Sequence, residues 1–244
     1  MSGDMCTSLG NGFTNLMMMM FWAHENCARV TGVVEGDDGL FRVSKVPDAD
    51  FFLRCFTIKI EASSNLAEAQ FCSMCFNEEN GRVLCDPIKK VLNTGWTFSD
   101  CRFSAKARCE LLRGKAISLL CECPGVPIVH SLAKWIYRTL GVGAVRYSGL
   151  SGSLDHYEEM IDINEDRVAH GLTQVPALTD RQLVEKHFGI PMFSQLKIEE
   201  WFDNCELIRT IPFYLFADLI PPNSVKYAAT HVFDVVGTPI LWRR

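Results

Sequence analysis

The spacing of apolar positions changes several times along this chain, and each change marks an element. Residues 16–23, Leu-Met-Met-Met-Met-Phe-Trp-Ala, are apolar throughout and predict a buried helix. Small polar residues lead into it, and Asp4 or Thr7 is a candidate N-cap. Gly10 and Gly12 each weaken a helix by up to about 1 kcal/mol relative to Ala, so they suggest that a backbone or ligand comes close there. The β-rich runs 30–35 and 40–43 flank Gly36-Asp37-Asp38-Gly39, residues suited to a tight hairpin turn. Two adjacent carboxylates would then sit at a tip held by strands. Residues 47–55 mix acidic and aromatic side chains and predict a short helix. Residues 56–61 alternate and predict a strand. Runs 69–76 and 82–85, joined by Asn77-Glu-Glu-Asn-Gly81, predict a second hairpin.

Beyond residue 86 the period becomes helical. Residues 87–92 start with Pro in the first turn. Residues 104–122 carry Ala107, Leu111, Leu112, Ile117, Leu120 and Cys121 at helical spacing, with Lys106, Arg108, Arg113 and Lys115 between them. A further helix covers 127–140 and is ended by Gly141-Val-Gly143. Residues 179–188 open with Thr-Asp-Arg-Gln, close to a capping box, and 193–202 predict another helix. The stretch 147–176 is polar, broken by Gly and Pro, and predicts a loop-rich connection. The fold class expected is α+β: a mixed region over 1–85 and a mainly helical one over 86–244.

Composition changes this picture little. Of 244 residues, 48% are hydrophobic and 22% charged, ordinary globular values. The net charge of −5 announces no nucleic-acid partner. Basic runs are local: Lys89-Lys90, residues 102–108, residues 113–115 and Arg243-Arg244. Eleven cysteines without a regular framework suggest free thiols in a reducing compartment. Cys72-x-x-Cys75 and Cys121-x-Cys123 lack a second pair or a His at zinc-finger spacing, so core or surface thiols are the better reading. The run 16–23 is too short to span a bilayer, and no transmembrane segment is expected.

The carboxylates carry the chemistry. Alone, Asp-Asp-Gly reads best as a solvated turn, although aspartates there have the hard oxygens that suit Mg²⁺ or Mn²⁺. Context reverses that preference. Ser2-Gly3-x-x-x-Thr7-x-x-x-Asn11 resembles motif B of viral RNA-directed RNA polymerases, and Gly36-Asp37-Asp38 resembles their motif C. The pair occurs in the family's order and at its distance. Met1-Ser-Gly-Asp-Met-x-Thr-Ser-Leu-Gly-Asn11 further resembles the tombusvirus-like branch of positive-strand RNA viruses. Lys59 matches the end of motif D, where a lysine is a candidate general acid. Phe71-Cys72-Ser73 is similar to motif E, the primer grip.

The resemblance covers residues 1 to 85 by motif and is positional beyond them. It implies half a polymerase palm followed by a helical thumb, with Met1 an internal residue. Motif A and the basic fingers would belong to the upstream part of a longer replicase, leaving this chain inactive alone. It implies two divalent ions, Mg²⁺ or Mn²⁺, with Asp37 the stronger ligand and Asp38 the weaker. Ser2, Gly3, Thr7 and Asn11 would bind the nucleotide, and Gly36, Phe71, Cys72 and Ser73 would contact the primer or RNA. The partners implied are an RNA template and product strand, nucleoside triphosphates and the rest of the replicase, at membrane-associated complexes in a host cytoplasm. A reverse transcriptase fits less well, because there an aromatic and a variable residue usually precede the two aspartates, unlike Glu35-Gly36. A non-enzymatic interaction domain with an incidental Asp-Asp turn is the alternative of a different class; it predicts no polar cluster around Asp37.

Overall fold

The computed structural model describes residues 6–94, 104–145, 165–228 and 233–234. The chain divides into two compact units, Met1–Arg82 and Val83–Arg244. Helices combine with small sheets, an α+β architecture.

The first unit begins with α1 (Thr7–Glu25), which starts nine residues before the expected 16. Thr7 is its first helical residue and not its cap, and Asp4 lies outside the described residues. The strands β1 (Val30–Glu35) and β2 (Asp38–Val43) form an antiparallel hairpin in which Glu35 pairs with Asp38. The second strand therefore begins two residues before the expected 40. Only Gly36 and Asp37 make the turn, and Gly36 takes φ of +58°. A positive φ at the first of two loop residues is the type II′ arrangement, which matches the twist of the strands it joins. An isolated two-stranded hairpin is marginal in water, so this one depends on the helix it lies against.

That support is aromatic. Met19, Trp22 and Ala23 of α1 pack with Phe52 of α2 (Ala49–Phe56), against Val30, Phe41 and Val43 of the hairpin. The Trp22 and Phe52 rings are 6.2 Å apart, and Phe56 lies 5.8 Å from Phe52. Asp48 caps α2 by accepting from the Asp50 N–H at 3.0 Å. The helix at 16–23 is not buried all round as expected. Leu9, Phe13, Leu16, Met17, Met20 and Phe21 form an exposed apolar stripe.

The strand expected at 56–61 does not form. Thr57 adopts φ of +56° and ends α2, sending its N–H to Leu53, while Ile58 N–H bonds back to Phe52. This Schellman-type ending uses the donors a strand would need at its start. The alternation survives in burial: Ile58 and Ile60 are half-buried, Lys59 and Glu61 exposed. The hairpin expected over 69–85 becomes a three-stranded sheet of β3 (Gln70–Phe71), β4 (Met74–Asn77) and β5 (Arg82–Cys85). The added turn is Cys72-Ser73, at φ of +51° and +60°.

In the second unit, α3 (Pro87–Leu92) is capped by Asp86, which accepts from Ile88 and Lys89 N–H at 2.9 and 3.2 Å. Ser104 caps α4 (Ala105–Glu122), which packs on α5 (Val129–Leu140). A helix over residues 165–173, α6, lies within the stretch expected to be loop. Val168 is its buried side chain, and Gly171 lets its backbone approach the Leu120 carbonyl more closely than any Cβ would permit. Helices α7 (Leu178–Phe188) and α8 (Met192–Asn204) follow. The Trp135 and Phe202 rings, 5.3 Å apart, join α5 to α8 in the core.

Two guanidinium groups tie helix ends. Arg113 donates to the Leu140, Gly141 and Ala144 carbonyls, and Arg138 to those of Phe202, Asp203 and Cys205. The donors of Arg113, one of the basic residues between the apolar positions of α4, are thus spent on the C-terminal end of α5. Arg181 forms a bidentate pair with Glu199 at 2.9 and 2.7 Å, and Glu199 also accepts the Ile128 N–H at 2.8 Å. That bond helps to hold Ile128 at φ of +67°, a conformation unfavourable for a β-branched residue.

Candidate functional site

The Gly36-Asp37 turn rests on one face of α1. Asn15 Nδ2 donates to the Asp37 carbonyl at 3.1 Å, and Ser8 Oγ donates to Glu35 Oε1 at 3.0 Å. Between them along the helix is Gly12, buried, where an added Cβ would meet Val34 at 3.6 Å and the Gly36 backbone at 3.7 Å. Spacings of four and then three residues place Ser8, Gly12 and Asn15 on one stripe. A small residue at the middle of that stripe allows the helix and the turn to come close. The expectation of close approach therefore holds at Gly12; at Gly10 a Cβ would meet nothing within 4 Å.

The sequence motif contains Thr7 and Asn11 but neither Ser8 nor Asn15. Thr7 precedes Ser8 by one residue on the same helix, a rotation of about 100°, whereas Asn11, three residues after Ser8 and four before Asn15, borders the stripe. Thr7 is half-buried and Asn11 exposed. Ser2 and Gly3 lie outside the described residues. The side-chain hydrogen bonds from α1 to the hairpin thus come from Ser8 and Asn15, not from Thr7 or Asn11. The signal that could have found them is the spacing itself, polar–glycine–polar at 8, 12 and 15.

Asp37 and Asp38 are both exposed, Asp37 in the turn and Asp38 as the first residue of β2 opposite Glu35. A third element reaches this cluster. The Cys72 thiol, on the strained Cys72-Ser73 turn, lies against Asp38; burial first, and then the carboxylates of Asp38, Glu35 and Asp37, push the thiol above its ordinary range. Segments 35–38 and 71–73, thirty-odd positions apart in the chain, are thereby brought together. Lys59 is exposed and pairs with Glu61 at 2.6 Å. The Glu61 hydrogen bond and charge hold its ammonium above the ordinary lysine range.

Asp37 and Asp38 offer hard oxygen donors of the kind Mg²⁺ and Mn²⁺ take. They suit such an ion in chemistry but not yet in number: among the described residues no group of three His, Cys, Asp or Glu side chains converges as a metal cage. A cleft of about 400 Å³ in the same unit, lined by Phe21, Trp22, Lys45 and Asp48 among others, includes none of the turn's residues. Among the described residues no helix is long and apolar enough to cross a membrane. No protein-family model, curated protein or solved structure matches the chain.

Proposed function

We propose that this chain is palm and thumb sequence of an RNA-directed RNA polymerase of a positive-strand RNA virus, similar to the tombusvirus-like branch. What supports the reading most is one arrangement: the hairpin bearing Gly36-Asp37-Asp38 is fastened through Asn15 and Ser8 to the helix bearing Thr7 and Asn11. A polymerase needs its metal-binding turn and its nucleotide-sugar residues held at fixed distance. A helix that bears Thr7 and Asn11 and also grips the aspartate turn meets that need. The polar cluster around Asp37 also counts against an incidental turn.

The chemistry is template-directed attack of a primer 3′-hydroxyl on the α-phosphate of a nucleoside triphosphate. Two divalent ions bound with the help of Asp37 and Asp38 would neutralise charge on the attacking and leaving oxygens. On this reading Ser2, Gly3, Thr7 and Asn11 would bind the nucleotide, and hydrogen bonds from Ser2, Thr7 and Asn11 to the 2′-hydroxyl would separate RNA from DNA precursors. Lys59, protonated and exposed, gives a proton to the departing pyrophosphate after leaving Glu61. Phe71, Cys72 and Ser73, beside the aspartate turn, contact the primer end. RNA template, product strand and nucleoside triphosphates are its ligands, and the rest of a replicase its partner.

The test is sugar selectivity in the complete replicase. Thr7→Ala and Asn11→Ala should each lower the ratio of kcat/KM for ribonucleotides over deoxyribonucleotides by at least about tenfold, because a site built around a hydroxyl otherwise rejects the analogue lacking it. An unchanged ratio in both variants removes these residues from the sugar site.

A further inference from the structure

Two sulfurs touch inside the second unit. Cys85, the last residue of β5, and Cys123, the C-cap of α4, place their Sγ atoms 3.4 Å apart. Both are buried, at 9% and 4% exposure. Lys90 of α3 stands close by, its Nζ 3.2 Å from Glu122, the residue before Cys123. Neither thiol has a part in the polymerase reading.

We propose that Cys85 and Cys123 are a peroxide-responsive dithiol that closes to an intramolecular disulfide. The two sulfurs are already in contact, so the second step of such a reaction needs no segment to travel. Their environments also differ in the useful sense. The hydrogen bond shared with Cys123, helped by the Lys90 charge, favours Cys85 as thiolate against the opposing effect of burial. The same hydrogen bond and burial keep Cys123 protonated. A thiolate, not a thiol, is the attacking species.

The steps balance with hydrogen peroxide as oxidant. The Cys85 thiolate attacks one peroxide oxygen, the O–O bond breaks, and the departing hydroxide takes a proton and leaves as water. Cys85 is then a sulfenic acid. The Cys123 sulfur attacks the Cys85 sulfur as its proton passes to the leaving hydroxyl, which departs as a second water. The S–S bond forms and the S–O bond breaks. Two thiols have lost two protons and two electrons, and one peroxide has become two waters.

The test uses the 244-residue chain. After hydrogen peroxide, remaining thiols are alkylated in denaturant and the digest is mapped by mass spectrometry. The expected product is a peptide pair joined through Cys85 and Cys123, two hydrogens lighter than its reduced parts and separated by dithiothreitol. Lys90→Met should slow its appearance several-fold while oxidation of exposed Cys27 proceeds at its original rate. In Cys123→Ser, Cys85 should stop as a sulfenic acid that dimedone traps. Recovery of Cys85 and Cys123 as alkylated thiols while Cys27 is oxidised, or crosslinks of either to other cysteines, would overturn the proposal. These readouts do not involve nucleotide addition, so they stand or fall apart from the polymerase reading.

Discussion

Asn15 donates its side-chain amide to the backbone carbonyl of Asp37 at 3.1 Å, so a residue on α1 grips the turn without occupying the aspartate's own carboxylate. The carboxylate stays available while the backbone beneath it is fixed. Loss of this bond should cost on the order of 1 kcal/mol, the usual net worth of one hydrogen bond, and should act locally. In Asn15→Ala, the amides of residues 36–38 are expected to exchange faster with solvent while those of α5 keep their wild-type rates. Unchanged exchange at the turn would show that Asn15 does not hold it.

Glu199 serves Arg181 and the Ile128 N–H at once and is itself buried. Glu199→Ala leaves a mostly buried guanidinium without its carboxylate and a strained Ile128 without its acceptor. The expected cost is about 3–5 kcal/mol, typical of breaking a buried ion pair from one side. Denaturant melts of wild type and variant measure it. A loss below about 1 kcal/mol, the ceiling for most surface pairs, would contradict the role given to this group.

How much of this was legible beforehand divides along physical lines. Helices in the second unit were readable because their ends carry local signals: Pro87 in the first turn of α3 and Gly141 just past the last turn of α5. The aspartate hairpin was readable from Gly36, since a tight turn needs positive φ there. The strand at 56–61 failed because alternation specifies two faces but no partner, and Thr57 had already committed the chain to a helix ending. Helix α6 was missed because its key residue, Gly171, looks like a breaker until the Leu120 carbonyl beside it is known. Asn15 and Ser8 were missed because the polar–glycine–polar spacing at 8, 12 and 15 marks a shared helix face but not the turn that this face meets. The pairing of Cys85 with Cys123 joins positions 38 apart, beyond any local pattern.

The exposed stripe on α1 makes a solution prediction. Leu9, Phe13, Leu16, Met17, Met20 and Phe21 run along one side of the helix, and Phe13 is 64% exposed. Contiguous apolar surface of this kind promotes association. The purified chain should self-associate with rising concentration in light scattering, and Phe13→Gln with Met17→Gln should reduce that without lowering the melting temperature. Scattering independent of concentration in the wild type would contradict it.

A pH effect should centre on Glu122. Burial works against its charge, but the Ser118 hydroxyl at 2.5 Å and Lys90 at 3.2 Å outweigh it and hold the carboxyl below the usual glutamate range. A depressed carboxyl contributes stability above its unfolded value, near 4.5, and loses it as pH falls through the folded value. Ser118→Ala should raise the Glu122 titration midpoint, followed by side-chain carboxyl NMR, and weaken the second unit slightly at neutral pH. The group is half exposed, so the stability change is small. A midpoint that stays in place would remove Ser118 as a cause.

The account turns on whether the exposed aspartate at the turn is a metal ligand for nucleotide addition. Asp37→Ala in the complete replicase tests this most directly, with primer extension and circular dichroism followed together. A turn-tip carboxylate supports little packing, so the fold should be unchanged. Extension should fall to background, since a lost metal ligand removes several kcal/mol of transition-state stabilisation. A folded Asp37→Ala enzyme that retains more than about a tenth of wild-type extension would contradict the central claim.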